Sequence, residues 1–233
     1  MLPKISIIIP CYNEAKVISQ SLQEIKDFFN SKNWDYEVIV IDDGSTDNTV
    51  DLVKNFEVKL LINEKNRGKG YSIKKGVQNS SGDLILFMDA DMSTPIAEFD
   101  KLEAYLSEYD IIIGSRSIFG AQVEKRQSWY KQLFGKLGNL LIRLFLGLNF
   151  HDTQCGFKLF KKEVRNIFAA QTLERWGFDF ELLFIAKKRG YKIKEVGVRW
   201  VNDEDSKVRR SDYIKTFGEV VKVRLNSWRG KYK

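Results

Sequence analysis

Histidine occurs once in this 233-residue chain, cysteine twice and proline three times. The two cysteines, Cys11 and Cys155, make no disulfide framework. No cluster of other soft ligands surrounds either one in sequence, which argues against a structural zinc site and leaves a reducing cytoplasm as the default compartment. The lone His151 stands beside Asp152, but adjacent loop residues rarely align as a catalytic dyad, and it reads as incidental. Long apolar runs are also missing. A stretch such as "LFLGL" at 144–148 is far short of the roughly 18–20 residues that span a bilayer. The opening "MLPKISIIIP" has no small-residue cleavage site and reads as a first strand, not a signal peptide. No repeat, low-complexity tract or Pro/Gly-rich linker divides the chain. With 43% hydrophobic residues, it can bury the core of one large α/β domain.

Charge is present in quantity but unevenly placed. The net charge is +7, and from Lys207 to Lys233 nine basic residues face two acids, Asp212 and Glu219. From Val123 to Phe150 there are five basic residues and one glutamate, so the rest of the chain is mildly acidic. Two basic segments on an acidic body suit an anionic partner: nucleic acid, a phosphate ligand or anionic lipid.

The pattern predicts strands at 4–9, 36–41, 58–62, 83–88 and 110–116. Helical spacing of Ile18, Leu22, Ile25 and Phe29 predicts the first connecting helix. A short helix follows Ser45-Thr46-Asp47, another enters through the glycines of "GKGYSIKKG", and Pro95 opens one reaching about Glu108. This alternation predicts an α/β fold with a doubly wound, mostly parallel sheet flanked by helices. In the second half, 128–150 reads as an amphipathic helix with one narrow polar stripe at 132, 136, 139 and 143. Helices are expected at about 161–170 and 178–189, one strand at 191–200, and then the basic tail. The simplest partition is a main domain over 1–208, including 128–150, and a basic amphipathic C-terminal helix over 209–233.

Ligands of such sheets bind beyond the carboxyl ends of the strands. Three polar clusters fall there: Pro10-Cys11-Tyr12-Asn13-Glu14, Asp42-Asp43-Gly44-Ser45 and Asp89-Ala90-Asp91. The D-x-D that ends "LILFM" is the most informative. Alone, such a pair is more often a capped, solvated loop. At the end of an apolar strand beside two other polar strand ends, Asp89 and Asp91 supply hard oxygens for Mg²⁺ or Mn²⁺. Asp43 can accept hydrogen bonds from a base or ribose while its neighbours form turn and cap. Tyr12 either lies against a nucleobase or packs. "NRGKG" (66–70) puts Lys69 at a helix entry suited to phosphate, although a plain loop-to-helix junction fits as well.

Taken in order and spacing, "IIIPCYNE", "VIVIDDGSTDNT", "NRGKG", "LILFMDADMSTP" and "IIIGSR" resemble the inverting glycosyltransferases of the GT-A fold. "DTQCGFKLF" and "ERWGFDFELLFIA" resemble one branch of them, the dolichyl-phosphate β-glucosyltransferases and their prokaryotic polyprenyl-phosphate relatives, close to the dolichyl-phosphate mannose synthases. The resemblance spans about residues 4–207. It implies that Pro10, Tyr12, Glu14 and Asp43 hold the nucleotide, and that Asp89, Ala90 and Asp91 form the sugar-nucleotide and metal motif. It makes Arg116 a donor-site arginine and Asp152 a base or an acceptor-orienting group. Lys207 would reach the diphosphate when its loop closes, and Arg126 would face the lipid phosphate. The usual G-S-K before the tail is here Asp205-Ser206-Lys207, which loses a flexible glycine and adds a negative charge.

The expected activity is metal-dependent, inverting transfer of a hexose, glucose from UDP-glucose, to a polyprenyl or dolichyl phosphate. The metal at Asp89 and Asp91, with Lys207 and Lys69, would stabilise the departing diphosphate. Helix 128–150 and the tail would lie in the interface of an anionic membrane, placing the protein peripherally on the cytoplasmic face. Nucleic acid is not an expected partner, since Asp43, Asp89 and Asp91 would repel it; homo-oligomers stay open. Alternatives are mannosyl transfer from GDP-mannose, a saccharide acceptor, or a non-catalytic basic membrane-binding module with a degenerate nucleotide pocket.

Overall fold

The computed structural model describes residues 3–124, 129–201 and 210–232, with backbone alone for 129–134, 136 and 210–215. Its first half runs β1 (Ile5–Cys11), α1 (Ile18–Ser31), β2 (Tyr36–Asp42), α2 (Thr49–Val53), β3 (Lys59–Ile62), α3 (Lys69–Gln78), β4 (Leu84–Met88), α4 (Phe99–Glu103) and β5 (Ile111–Ser115). The second half adds β6 (Gln122–Glu124), α5 (Trp129–Leu146), β7 (Phe157–Lys161), α6 (Asn166–Ala170), α7 (Phe178–Lys188), β8 (Ile193–Gly197), β9 (Arg199–Val201) and α8 (Arg210–Trp228).

Seven strands form one sheet in the order β3-β2-β1-β4-β7-β5-β8, parallel except for β7, which runs antiparallel to both β4 and β5. A short parallel pair, β6 with β9, stands apart. The central strands are apolar without alternation because both faces are covered. Ile5, Ile7 and Ile9 of β1 pack into one layer with Ile18, Leu22, Ile25 and Phe29 of α1. Ile8 packs into the other with Ile73 and Val77 of α3 and with residues of α5, α7 and α8. The chain leaves β1 in one direction to build β2 and β3, and β4 lies on β1's other edge. The switch between β1 and β4 opens the crevice where such sheets bind ligands.

The doubly wound, mostly parallel sheet is as expected, and several elements differ from the sequence reading. The helix expected over 161–170 is instead the end of β7, a 3₁₀ turn over Lys162–Arg165 and the short α6. Strand β7 is only five residues and buried on both faces, Leu159 on one layer and Phe160 on the other. Its run is too short for a period to show. The strand expected over 191–200 is two strands, β8 and β9, in different sheets. The helix expected to reach Glu108 ends at Glu103 and continues as turns.

The basic tail is fastened to the core. Val220, Val223, Asn226 and Tyr232 are buried, and Phe145 of α5 meets Phe217 of α8 edge to face. The polar position 139 of α5 faces the body: Asn139 Nδ2 donates to the His151 carbonyl at 2.7 Å, and Asn139 Oδ1 accepts from the Thr153 hydroxyl at 2.8 Å. Leu137, Leu140, Leu144 and Phe145 are exposed instead.

Helix α3 approaches the sheet so closely that a Cβ at Gly76 would lie 2.5 Å from Ile8 Cγ2 and 2.7 Å from Ile41 Cδ1. Alanine is favoured over glycine in a helix interior by about 1 kcal/mol, but overpacking a dense core costs about 1–3 kcal/mol. The expected outcome for Gly76→Ala is a lower Tm in thermal unfolding, and a higher Tm would contradict this packing.

Candidate active site

The site is built from the carboxyl ends of β1, β2, β4 and β5 and the amino end of α3. Beyond β1 and β2, two loops are stitched to each other. Asn13 N donates to Ser45 Oγ at 2.9 Å, Thr46 N to Asn13 Oδ1 at 2.8 Å, and Glu14 N to Thr49 Oγ1 at 2.8 Å. Asn13 takes a left-handed φ of 55° to make this turn, a conformation asparagine tolerates better than most residues. Pro10 pairs in register with Ile41, and the side chains of Tyr12 and Glu14 are half-buried at this edge.

Asp43 is buried, and its carboxylate binds the protein itself. Oδ1 accepts from Asn63 Nδ2 at 2.8 Å and from Arg67 N at 3.0 Å, and Oδ2 accepts from Gly68 N at 2.7 Å. Asp43 therefore shapes the "NRGKG" loop, and a nucleotide could reach it only through its remaining lone pairs. That loop delivers Lys69, the first residue of α3, across the crevice, where its ammonium pairs with Asp89. Gly68 has a φ of 110°, and a Cβ there would lie 2.6 Å from the Glu174 carbonyl. The opposing loop is fixed in turn by the buried Glu181 of α7, which accepts from Thr172 N and Leu173 N. Tyr71 N donates to the Glu174 carbonyl at 3.0 Å.

Asp89 is about a third exposed, and Asp91 follows on a turn in which Met92 takes a φ of 49°. Asp91 Oδ1 accepts from Ser93 N at 2.9 Å. Burial, and then the charge of Asp89, push the Asp91 carboxylate above the usual range. Burial opposes the charge on Lys69, but the carboxylates, Asp89 ahead of Asp179 and Asp91, outweigh it and raise the ammonium. Ala90 turns the other way: its methyl is in the core and its carbonyl accepts from the Ser21 hydroxyl at 2.6 Å. A Cβ at Gly156 would sit 2.0 Å from Asp89 Oδ2, so a side chain at position 156 would displace the carboxylate from this position.

Arg116, just past β5, forms a bidentate pair with Asp152: Nε to Oδ2 at 2.6 Å and an Nη to Oδ1 at 2.9 Å. Arg116 N adds a third bond to Oδ2 at 3.0 Å. Burial would raise the Asp152 carboxylate, but Arg116 outweighs it and holds it below the usual range. The charge of Asp89 also reaches Arg116, so the two pairs share one electrostatic field. Glu195 of β8 fixes the Asp152 loop by accepting from His151 N and Asp152 N. Cys155 is no nucleophile: burial first, then Asp152, push its thiol up to about 11.

The structure thus gathers Lys69, Asp89, Asp91, Arg116 and Asp152 at one crevice. Asp43 is bonded to the 63–68 segment and the Ala90 carbonyl to Ser21, with Pro10, Tyr12 and Glu14 along the edge. Arg126 and Lys207 lie outside the described residues. Sequence reasoning missed a second buried pair, Lys158 of β7 with Asp179 of α7. Lys158 also donates to the Cys155 carbonyl at 2.6 Å and lies over the Phe87 ring. Its signal was present as a lysine inside "FKLF" and an aspartate inside "FDFELLF", since fully buried charges of this kind require partners.

Among the described residues no three histidine, cysteine, aspartate or glutamate side chains cluster as a metal cage. The donor set nevertheless fits Mg²⁺ or Mn²⁺. Such ions are commonly held by one or two carboxylates, with phosphate oxygens and water completing the shell.

The fold is shared with solved enzymes. Mannosyl-3-phosphoglycerate synthase from Rubrobacter xylanophilus superposes with a TM-score of 0.73 at 17% identity, covering 98% of this chain and 75% of that one. Glucosyl-3-phosphoglycerate synthase from Mycobacterium tuberculosis, solved with Mn²⁺, UDP and glucosyl-3-phosphoglycerate, superposes with a TM-score of 0.71 at 20% identity, covering 95% and 80%. The architecture is therefore GT-A. In sequence, a dolichyl-phosphate β-glucosyltransferase of Trichomonas vaginalis is 36% identical over 94% of this chain and 70% of its own length. The human dolichyl-phosphate β-glucosyltransferase is 33% identical over 88% and 69%. The fold and these relatives define a hexosyltransferase-type enzyme. With the glycosyl transferase family 2 profile matching residues 6–168, the chain belongs to that family and is related to the dolichyl-phosphate glucosyltransferases.

Asp91 pays a burial cost that asparagine would avoid. A carboxyl whose folded pKa is raised loses stability as pH rises through that value. Asp91→Asn is therefore expected to raise Tm at pH 7 in chelator-treated protein, with the difference shrinking as pH falls to about 4. An unchanged or lower Tm at pH 7 would contradict this account of Asp91.

Proposed function

We propose that this protein transfers glucose from UDP-glucose to the phosphate of a polyprenyl or dolichyl lipid, with inversion at the anomeric carbon. The observation that carries the reading is the crevice itself. Two carboxylates at the end of β4 face an ammonium from α3, with the Arg116–Asp152 pair alongside. The relatives' activities, named for β-glucosyl transfer to dolichyl phosphate, support the choice of sugar and acceptor.

In this reading Asp89 and Asp91 would hold a divalent cation, which would supply positive charge against the departing diphosphate. Lys69, at the amino end of α3, adds a fixed positive group on the same side. Pro10, Tyr12 and Glu14 line the nucleotide's edge, and Asp43 acts by shaping the loop that carries Lys69. The acceptor phosphate has a second pKa near 6, so it reaches the site as an anion and needs no strong base. Asp152, held ionised by Arg116, is a weak base. Its role is to aim the guanidinium at an incoming phosphate. Arg126 and Lys207 would add positive charge for the lipid phosphate and the diphosphate.

The acceptor's lipid chain is accommodated by the exposed apolar surface shared by α5 and α8. Leu144 is 70% exposed and Trp228 is 74% exposed, and together with Phe145 and Arg224 they line one shallow depression of about 350 Å³. No described helix is long and apolar enough to cross a membrane. In this reading α5 and α8 lie in the interface of an anionic bilayer.

The test is a donor screen with purified protein, detergent, Mn²⁺ and a short polyprenyl phosphate, products being identified by mass. UDP-glucose is expected to give a hexosyl-phosphoryl lipid, and the rate is expected to rise with pH near 6 and then level. Transfer from GDP-mannose alone would overturn the donor, transfer only to free saccharides would overturn the acceptor, and no transfer from any donor would overturn the proposal.

A further inference from the structure

We propose that Lys69 is an internal stand-in for the divalent cation: its ammonium occupies Asp89 in the nucleotide-free protein, keeps the cation site weak, and moves to the diphosphate when a nucleotide arrives. This rests on the reading of Asp89 and Asp91 as the cation's ligands.

Four observations carry it. First, the Lys69 ammonium is paired with Asp89 itself, on the carboxylate that a cation would share with Asp91. Second, the Asp89 carboxylate lies against the backbone of Gly156 on a short side chain, whereas Lys69 carries its ammonium on a flexible four-carbon stem. The lysine is therefore the partner that moves. Third, the Lys69 ammonium is 6.0 Å from the ring centres of both Trp176 and Phe178. These faces give a displaced ammonium a favourable path that does not return it to water. Fourth, the nearby anion Asp179 is already engaged by Lys158, deep in the core. Asp179 therefore competes poorly for a displaced Lys69, and an incoming diphosphate, with its greater charge, is the stronger partner.

Charge balance gives the order of events. Asp89, Asp91 and Lys69 together carry one net negative charge. A divalent cation alone would place a positive excess in this part-buried crevice, beside an ammonium that repels it. A diphosphate arriving with the cation restores a negative balance and gives the ammonium a new anion. Cation and nucleotide should therefore bind as a pair, and Lys69 is the residue that enforces it.

The test measures Mn²⁺ binding to the full-length protein by the paramagnetic resonance of free Mn²⁺, first without nucleotide. Lys69→Met is expected to bind Mn²⁺ about tenfold or more tightly than wild type, the range seen when groups around a metal ligand are altered. Lys69→Arg keeps the charge and is expected to stay near wild type. When UDP is added, wild type is expected to gain Mn²⁺ affinity and the advantage of Lys69→Met to disappear. Nucleotide-free affinity in Lys69→Met equal to or below wild type would overturn the inference. If that variant does not fold, Lys69→Gln is read by the same criterion. Asp91→Asn separates the two readings. Wild-type Mn²⁺ binding by Asp91→Asn overturns the cation site and this inference with it. Loss of binding there, with no gain in Lys69→Met, overturns the stand-in alone.

Discussion

Two carboxylates stand at the end of a buried strand and one of them, Asp89, is paired with an ammonium; the rest of the site is arranged around that unequal balance. Like charges this close are unfavourable unless a counter-charge is supplied. Among the described residues the ammonium paired there is that of Lys69, on Asp89, which leaves Asp91 without an ion-pair partner among them. A structural ion pair would have been closed with a second base. Here the second pair, Lys158 with Asp179, is buried in the core. The two pairs thus differ in burial, the first partly open at the strand end and the second enclosed.

The scaffold's part is to hold Lys69 and Asp89 against each other from opposite sides of the crevice. Asp43 binds the loop before α3, Gly68 lets that loop pass the Glu174 carbonyl, and Glu181 holds the facing segment. Glu181 also accepts from the Tyr232 hydroxyl at 2.6 Å, so residues beyond α8 and the donor-side loop rest on one buried carboxylate. The helices with the exposed apolar face are therefore bonded to the body of the sheet domain.

Much of this was legible in the sequence. The strands of the first half could be located because β-branched runs alternate with helical spacing, and the polar clusters at their ends could be placed at one edge by topology alone. Asp89 and Asp91 stood out because carboxylates are conspicuous after "LILFM". What was not legible depended on contacts between distant segments. Strand β7 is five residues long and inserts antiparallel between two strands that precede it, which no local period can announce. The Arg116–Asp152 pair joins residues 36 positions apart, so each could be singled out but not joined to the other. Asp43 is a similar case. Its strand-end position suggested a ligand contact, and the three hydrogen bonds to residues 63–68 by which it shapes the loop join segments that the sequence alone could not connect.

The central claim is that the crevice binds a diphosphate only together with a divalent cation, because its own charges are short by one. Calorimetric titration of UDP into the full-length protein, with Mn²⁺ and after chelation, tests it most directly. The account predicts measurable UDP binding with Mn²⁺ and a loss of roughly tenfold or more without it, with the same loss in an Asp89→Asn, Asp91→Asn double variant. Equal affinity in all three conditions would contradict it.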